Sequence, residues 1–293
     1  MITRDVDASA VADLARTPPR AALAAVVDDR IHLVPVEAAL EQPGDPATSA
    51  RVVRVPGDAP DLAGRDVVVV ADDGPQWFRL RSLAVRGTAV PVGDGTYRLT
   101  PRRVVAWDYG SLRDVPGAAR PQPPAPFGGD DDSALPFRTP DLDTALSTSR
   151  VMVIATRSRK GTPFAVPLWF VPHHGRFYAA TAASSWTVRN VLACPEVAVL
   201  FGGEGGHDGD RLLVRGRARA VPGMTPAPVL ARIVWRYFLS PRFATAELAH
   251  ARLWNLRRRY YTQSRPAYVV ITPLSAVHCG VPAIESSSGE VSW

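Results

Sequence analysis

Short apolar, β-branched runs separated by polar turns recur along the chain, and one group of them is especially clear. Val151–Thr156 is such a run, and the polar segment Arg157–Thr162 contains the glycine of a turn. Phe164–Val171 is apolar almost throughout, as in a strand buried on both faces. The turn His173-His174-Gly175 then leads into Phe177–Thr181. The pattern therefore predicts a hairpin and a third strand.

A short helix is predicted next, from about Thr187 to Cys194. Ser184 and Ser185 can accept hydrogen bonds from its first N–H groups, and Pro195 ends it because proline cannot donate and clashes with the preceding turn. Arg189 lies one turn inside. Free N–H groups, hydroxyls and a guanidinium together favour an anion, so this helix start is a candidate phosphate site.

The order of these motifs resembles the pyridoxamine-phosphate-oxidase-like flavin-binding split barrels. The resemblance lies in a V-P-L-W-F strand, a G-R-F-Y strand ending in Thr, and S-x-x-V-R-N before a proline-terminated helix, and it covers roughly Leu146 to Val221. Members bind FMN, or in some branches a deazaflavin or haem, between two barrels. The cofactor-binding residues that the resemblance implies are Pro167, Leu168 and Trp169 along the ring system, Thr181, Ser184, Ser185 and Arg189 near the phosphate, and Asn190.

One position departs from the family pattern. Phosphate-binding members often carry an Arg-Lys pair directly after the serine, where this chain has Trp186 and Thr187. Arg189 is then the only cation of that segment.

An internal repeat extends the prediction to the first half of the chain. Pro35 matches Pro167 at a separation of 132 residues, and Arg86-Gly87 matches Arg215-Gly216 at 129. A third match, between Pro101 and Pro273, has a separation of 172, so about 40 residues are inserted late in the second copy.

The repeat predicts a mainly β fold with some α: tandem antiparallel split β-barrels of six strands each, forming an intrachain pseudo-dimer. Residues 1–110 form the first, degenerate barrel and residues 144–293 the cofactor-binding barrel. Residues 111–143 are a linker rich in Pro, Gly and Asp, which is expected to lie on the surface. Residues 226–263 have helical spacing and are the insertion.

The first copy is expected to lack a phosphate site. Its counterpart of the phosphate helix, Gly57–Asp66, carries Asp58, Asp61 and Asp66, which would repel a phosphate. The first copy is instead expected to supply the opposing wall of the site, or else to have ordinary strand residues there. The candidates for that wall are Trp77, Phe78, Arg79 and Arg81.

Composition and charge narrow the possible classes of protein. The 293 residues carry a net charge of +6, a mild excess that does not demand nucleic acid, and no apolar run approaches a membrane span. The N-terminus lacks the apolar segment of a signal peptide, and two cysteines form neither a metal motif nor a disulfide framework, so we expect a cytoplasmic protein. The expected partner is a small-molecule substrate, without nucleic acid or membrane; further oligomerisation is open.

Three functions remain open from the sequence. The first is an oxidoreductase that uses FMN or a deazaflavin on an unknown small molecule; no catalytic residue or metal site is predicted, because the flavin itself would carry the chemistry. The second is a non-catalytic flavin- or haem-binding protein, with haem the less favoured cofactor. The third is a split-barrel scaffold without a cofactor.

Overall fold

The computed structural model describes residues 5–74, 80–109, 135–202, 211–239, 245, 248–249, 251–255 and 265–280. In this part the chain is mainly β, with short helices, and its strands form two antiparallel sheets. The predicted fold class, tandem split barrels packed as an intrachain pseudo-dimer, is confirmed.

The first sheet contains the strands of the N-terminal half. They follow one another in the order β3-β2-β6-β7-β8-β5-β4, and β1 pairs with β8. The bounds are β1 Asp5–Val6, β2 Arg20–Val27, β3 Arg30–Pro35, β4 Glu37–Leu40, β5 Arg51–Arg54, β6 Asp66–Asp72, β7 Arg81–Gly93 and β8 Thr96–Asp108.

The second sheet has the same order of corresponding strands, β10-β9-β13-β14-β15-β12-β11. Its bounds are β9 Val151–Arg157, β10 Pro163–Trp169, β11 Val171–His173, β12 Arg176–Ala182, β13 Glu196–Phe201, β14 Arg211–Pro222 and β15 Pro266–Cys279. The sequence predicts six strands in each barrel; each of these paths has seven. The short strands β4 and β11 have too few residues to show a periodic pattern.

Both sheets carry a β-bulge at the matched Arg-Gly pair. The register of β7 with β8 shifts between Arg86 and Gly87, and that of β14 with β15 shifts between Arg215 and Gly216. A Cβ on Gly87 would lie 2.2 Å from the carbonyl oxygen of Thr100. Glycine is therefore required by the close approach of the neighbouring backbone, which explains why the pair recurs.

Helices occupy the connections. α1 spans Ala12–Arg16, α2 spans Pro140–Thr148, α3 spans Trp186–Ala193, and α4 spans Ala227–Val234, which continues into a π-helical turn at Trp235–Leu239. The hydroxyl of Ser185 accepts a hydrogen bond from the N–H of Val188 and so caps α3 as predicted.

The two barrels have separate cores and a shared apolar interface. The first core contains Leu23, Val69 and Val85 among others, and the second contains Ile154, Val199 and Val214. At the interface the outward faces of β2, β3 and β6 meet those of β9, β10 and β13. The buried residues there are Ala22, Ala24, Ile31, Leu33, Val68, Val70, Val153, Ala155, Ala165, Ala198, Leu200 and Leu213.

The predicted linker and insertion are described only in part. Residues 110–134, most of the linker, lie outside the described residues, and α2 begins at Pro140 within its predicted end. In the insertion, α4 and its π-helical turn are described, with a short 3-10 turn at Ala251–Leu253. Among the described residues, no helix combines the length and apolarity that crossing a membrane requires.

Candidate functional site

A cleft of about 390 Å³ lies between the two barrels, on one side of the shared interface. The second barrel contributes the β9–β10 turn, strand β10 and one face of α3, and the first barrel contributes β6, β7 and β8. The lining residues are Val68, Val70, Ser82, Ala84, Arg86, Arg103, Val105, Trp107, Ser158, Thr162, Pro163, Phe164, Ala165, Val166, Pro167, Trp186 and Asn190.

Strand β10 forms the floor of the cleft. All five residues from Pro163 to Pro167 line the cleft, and Ala165 also belongs to the interface between the barrels. The next residue, Leu168, does not line the cleft and packs against the second core.

Helix α3 closes one end of the cleft. Trp186 and Asn190, one turn apart, line it. The amide nitrogen Nδ2 of Asn190 donates to the hydroxyl of Thr156 at 3.0 Å, a buried bond that fixes α3 against β9. The guanidinium of Arg189 lies 5.2 Å from the centre of the Trp186 ring, in a cation–π contact.

The structure brings two of the sequence-predicted site residues into this cleft, Pro167 and Asn190. The others lie around it. Ser185 caps α3, Ser184 occupies the preceding turn, and Thr181 pairs with Ala267 near the end of β12. Leu168 packs against the second core, and the Trp169 ring contacts those of Tyr109 and Tyr237. The Arg189 guanidinium lies over the Trp186 ring.

An aromatic cluster occupies the other end of β10. The Trp169 ring centre lies 5.8 Å from that of Tyr109 and 6.2 Å from that of Tyr237. Tyr237 belongs to the π-helical turn of the insertion, and its hydroxyl accepts from the N–H of Phe170 at 3.2 Å. The contact between Tyr109 and Trp169 brings the ends of β8 and β10 together, so Trp107 and Pro167 line the cleft at this aromatic end.

The opposite end of the cleft is polar. Ser158 and Thr162 from the β9–β10 turn lie there, close to Asn190, and Arg86 and Arg103 belong to the facing wall. Arg86 is paired with Asp66 at 2.8 Å through its terminal nitrogen. Its Nε is a buried donor for which the described structure shows no hydrogen-bond partner. The cleft thus has an apolar, aromatic end and a cationic, hydroxyl-rich end.

The opposing wall differs from the residues considered in the sequence. Trp77, Phe78 and Arg79 lie outside the described residues. Arg81 is held by two carboxylates, Asp13 and Asp73, each 2.6 Å away, and it does not line the cleft. The residues that sequence reasoning missed on this wall are Arg86, Arg103 and Trp107. The repeated Arg-Gly pair, Arg86-Gly87 matching Arg215-Gly216, was the sequence signal that could have indicated Arg86.

The matching location in the other half has different side chains. His32 stands where β10 has Phe164, three residues before the matched proline, and its Nδ1 is 3.4 Å from a terminal nitrogen of Arg215. Burial and the charges of Arg215, Arg30 and Arg65 lower the pKa of His32. The segment that replaces α3, residues 57–65, has no helix, and Asp61 there accepts from the N–H of Ala63.

Comparison with protein families agrees with the resemblance in the sequence. Residues 139–252 match the family model described as pyridoxamine 5'-phosphate oxidase. Over this range the second barrel is similar in sequence to the pyridoxamine 5'-phosphate oxidase family. The match begins at the N-cap of α2, includes β10 and α3, and ends before β15. The family-like barrel thus contributes the floor and the α3 end of the cleft, while the first barrel contributes the facing wall.

Solved structures similar to this chain each cover about half of it or less. They include General Stress Protein 26 from Bacillus anthracis, at 19% identity, 47% of this chain, 90% of that chain and a TM-score of 0.30. The heme storage protein HutZ from Vibrio cholerae is 15% identical; the match covers 47% of this chain and 92% of HutZ, with a TM-score of 0.35. An FAD binding protein from Mycobacterium smegmatis is 19% identical; the match covers 36% of this chain and 96% of that protein, with a TM-score of 0.31. No match is found among curated proteins.

Proposed function

We propose that the chain binds a flavin-type cofactor, FMN or the deazaflavin coenzyme, in the cleft between its barrels and acts as an oxidoreductase on a small molecule. The observation that carries the proposal is the two-ended cleft itself. A flavin nucleotide has a flat, largely apolar ring at one end and a phosphate at the other. The cleft offers Trp107 and Pro167 at its aromatic end, and Arg86, Asn190 and Thr162 at its polar end.

Size and donor chemistry fit this class of ligand. Small-molecule sites typically have volumes of about 300–1,000 Å³, with mostly apolar walls and a few placed polar groups, and the cleft falls within this range. Arg86 lines the cleft, and its buried Nε is a donor without a partner in the described structure, so this guanidinium has hydrogen-bonding capacity left. Haem iron is held by His, Cys, Met or Tyr, whereas the described lining residues provide hydroxyl, amide, guanidinium and apolar groups. We therefore propose flavin rather than haem.

A bound flavin would supply the electron or hydride transfer, and the protein would contribute binding, orientation and exclusion of water. In this proposal the ring lies along the Pro163–Pro167 face of β10. Trp107 and Val105 cover it from the first barrel, and Trp186 covers the α3 end. The two walls would then shield both faces of the ring from water.

The first test is the absorption spectrum of the purified full-length chain, before and after addition of FMN or the deazaflavin coenzyme. Flavin, deazaflavin and haem have distinguishable spectra. Steady-state turnover with NAD(P)H and generic acceptors then separates an oxidoreductase from a binding protein. A colourless chain that takes up neither cofactor would refute the proposal.

A cleft-filling variant locates the site. Ala84→Phe places a ring inside the cleft and should abolish saturable flavin binding. Leu213 occupies the matching strand position in the other barrel, also two residues before the bulge arginine, and does not line the cleft, so Leu213→Phe is the matched control. Wild-type affinity in Ala84→Phe would place the ligand elsewhere.

A further inference from the structure

The polar end of the cleft contains two arginines that face each other across a strand pair. Arg86 on β7 and Arg103 on β8 are partners in the sheet register, and both line the cleft. Like charges directly opposite on neighbouring strands destabilise a sheet. The arrangement is therefore unfavourable unless a group of opposite charge lies close to the two guanidinium groups.

One carboxylate offsets only part of this charge. Asp66 binds Arg86 through one oxygen at 2.8 Å and Arg102 through the other. Asp66 is thus divided between two guanidinium groups, those of Arg86 and Arg102, and Arg103 adds a third positive charge opposite Arg86. The Arg86 side chain lines the cleft and is about one third exposed, and its buried Nε has no hydrogen-bond partner in the described structure. A fixed donor with local excess positive charge is suited to a doubly charged oxyanion.

The geometry of Arg86 is built into the barrel. The bulge between Arg86 and Gly87 turns the strand at this point, and the close contact of Gly87 with the Thr100 carbonyl leaves no space for a side chain. The backbone of Arg86 is consequently held by its neighbours. Asp66 in turn holds one terminal nitrogen of the guanidinium.

The other barrel shows that the pair is specific to this cleft. At the matching bulge Arg215 is opposed by Ser275, so the second arginine is missing there. Arg215 instead contacts His32. The bulge arginine is thus common to both halves, whereas the facing arginine pair occurs on the cleft side.

We propose that Arg86 and Arg103 bind a phosphate group at the polar end of the cleft, which means that the first barrel supplies the cations missing from α3. The inference rests on the proposed function for the identity of the ligand, since the phosphate belongs either to the cofactor or to a phosphorylated substrate. Ser158, Thr162 and Asn190 from the second barrel face the same space and can complete the set of donors.

The test compares FMN with riboflavin, which lacks the phosphate, in the full-length wild type, Arg86→Ala, Arg86→Lys and Arg215→Ala. A charge-assisted contact of this kind is worth about 10- to 100-fold in affinity. Wild type and Arg215→Ala should therefore bind FMN about 10- to 100-fold more tightly than riboflavin. Arg86→Ala should bind the two about equally, and Arg86→Lys should lie between. Asp66 keeps Arg102 as a partner in Arg86→Ala, so this variant is expected to fold.

A second arm identifies a substrate phosphate. Inorganic phosphate is added to the FMN-saturated protein and the thermal midpoint is recorded, because a ligand that binds the folded state raises it. If the FMN-to-riboflavin ratio is unchanged in Arg86→Ala but its response to phosphate is lost, the phosphate is that of a substrate. If Arg86→Ala matches wild type in both arms, the proposal is overturned.

The two proposals can fail separately. A wild type that binds neither flavin refutes the proposed function. The response of the protein alone to inorganic phosphate then decides the anion site. A rise in midpoint shared by wild type and Arg215→Ala but absent from Arg86→Ala supports it, and equal responses in all three reject it.

Discussion

The guanidinium of Arg20 forms a buried ion pair with the carboxylate of Asp72, at 2.6 Å, and also donates to two carbonyls of the other barrel. The acceptors are the oxygens of Val151 and Gly202, each 3.3 Å from Nη1. Arg20 and Asp72 are almost completely buried, and burial raises the pKa of Asp72 against the opposing influence of Arg20. One side chain of the first barrel is thereby tied to the backbone of the second.

Breaking this pair should be costly. Asp72→Asn leaves the charge of Arg20 buried without its counterion, so we expect a loss of about 3–5 kcal/mol in the free energy of unfolding. The double variant Arg20→Met/Asp72→Leu removes both charges and should lose clearly less. Urea denaturation of both variants measures the difference. Equal losses would mean that the unpaired buried charge of Arg20 is not the source of the cost in Asp72→Asn.

The two bulge glycines should differ in their sensitivity to substitution. A Cβ on Gly87 would lie 2.2 Å from the Thr100 oxygen and 2.7 Å from a Leu99 methyl, whereas the nearest atom to a Cβ on Gly216 is the Thr272 oxygen at 2.8 Å. Overpacking typically costs about 1–3 kcal/mol. Gly87→Ala should fall at the upper end and Gly216→Ala at the lower end, as measured by thermal denaturation. The reverse order would contradict the closer approach of the neighbouring strand at Gly87.

How far the fold could be predicted depends on which signals are local. The hairpin β9–β10, the Ser185 cap of α3 and the repeat with its matched Arg-Gly pairs all follow from patterns within a few residues or from direct matches between the halves. The short strands β4 and β11 could not be predicted in this way. They are four and three residues long, too short for an alternating pattern to stand out.

The site was less predictable because it forms across the barrel interface. Thr162 and Arg86 line the same cleft although they belong to different barrels. Alternation along β10 indicates that successive side chains diverge, but it does not indicate which face docks against the other barrel. Pro167 and Leu168 were therefore both candidates, and only the docked structure separates them.

His32 should make stability depend on pH. Its folded-state pKa lies below the ordinary value of 6.5, because burial and neighbouring arginines disfavour the charged ring. The unfolded chain then binds the proton more strongly, so the contribution of His32 is complete above pH 6.5 and is lost as the pH falls through the folded-state pKa.

His32→Phe introduces the residue type that β10 has at the matching position, Phe164. The variant has no imidazole there, so the protonation of His32 no longer affects stability. The decline of the thermal midpoint between neutral and mildly acidic pH should be shallower in this variant than in wild type. Arg215→Met removes one of the charges that lower the pKa and should have a smaller effect in the same direction. Parallel pH profiles for all three proteins would show that His32 does not contribute.

Arg189 tests whether α3 itself holds a phosphate, as the sequence pattern predicts. Its guanidinium lies over Trp186, and Trp186 rather than Arg189 lines the cleft. A cation–π contact at an exposed site is worth about 0.5–1 kcal/mol, which corresponds to about two- to fivefold in affinity. We therefore expect Arg189→Ala to weaken FMN and riboflavin binding to the same extent and by no more than about fivefold, through a less ordered Trp186 ring. Fluorescence titration with both ligands measures this. A loss of tenfold or more that is confined to FMN would instead indicate direct contact between Arg189 and the phosphate.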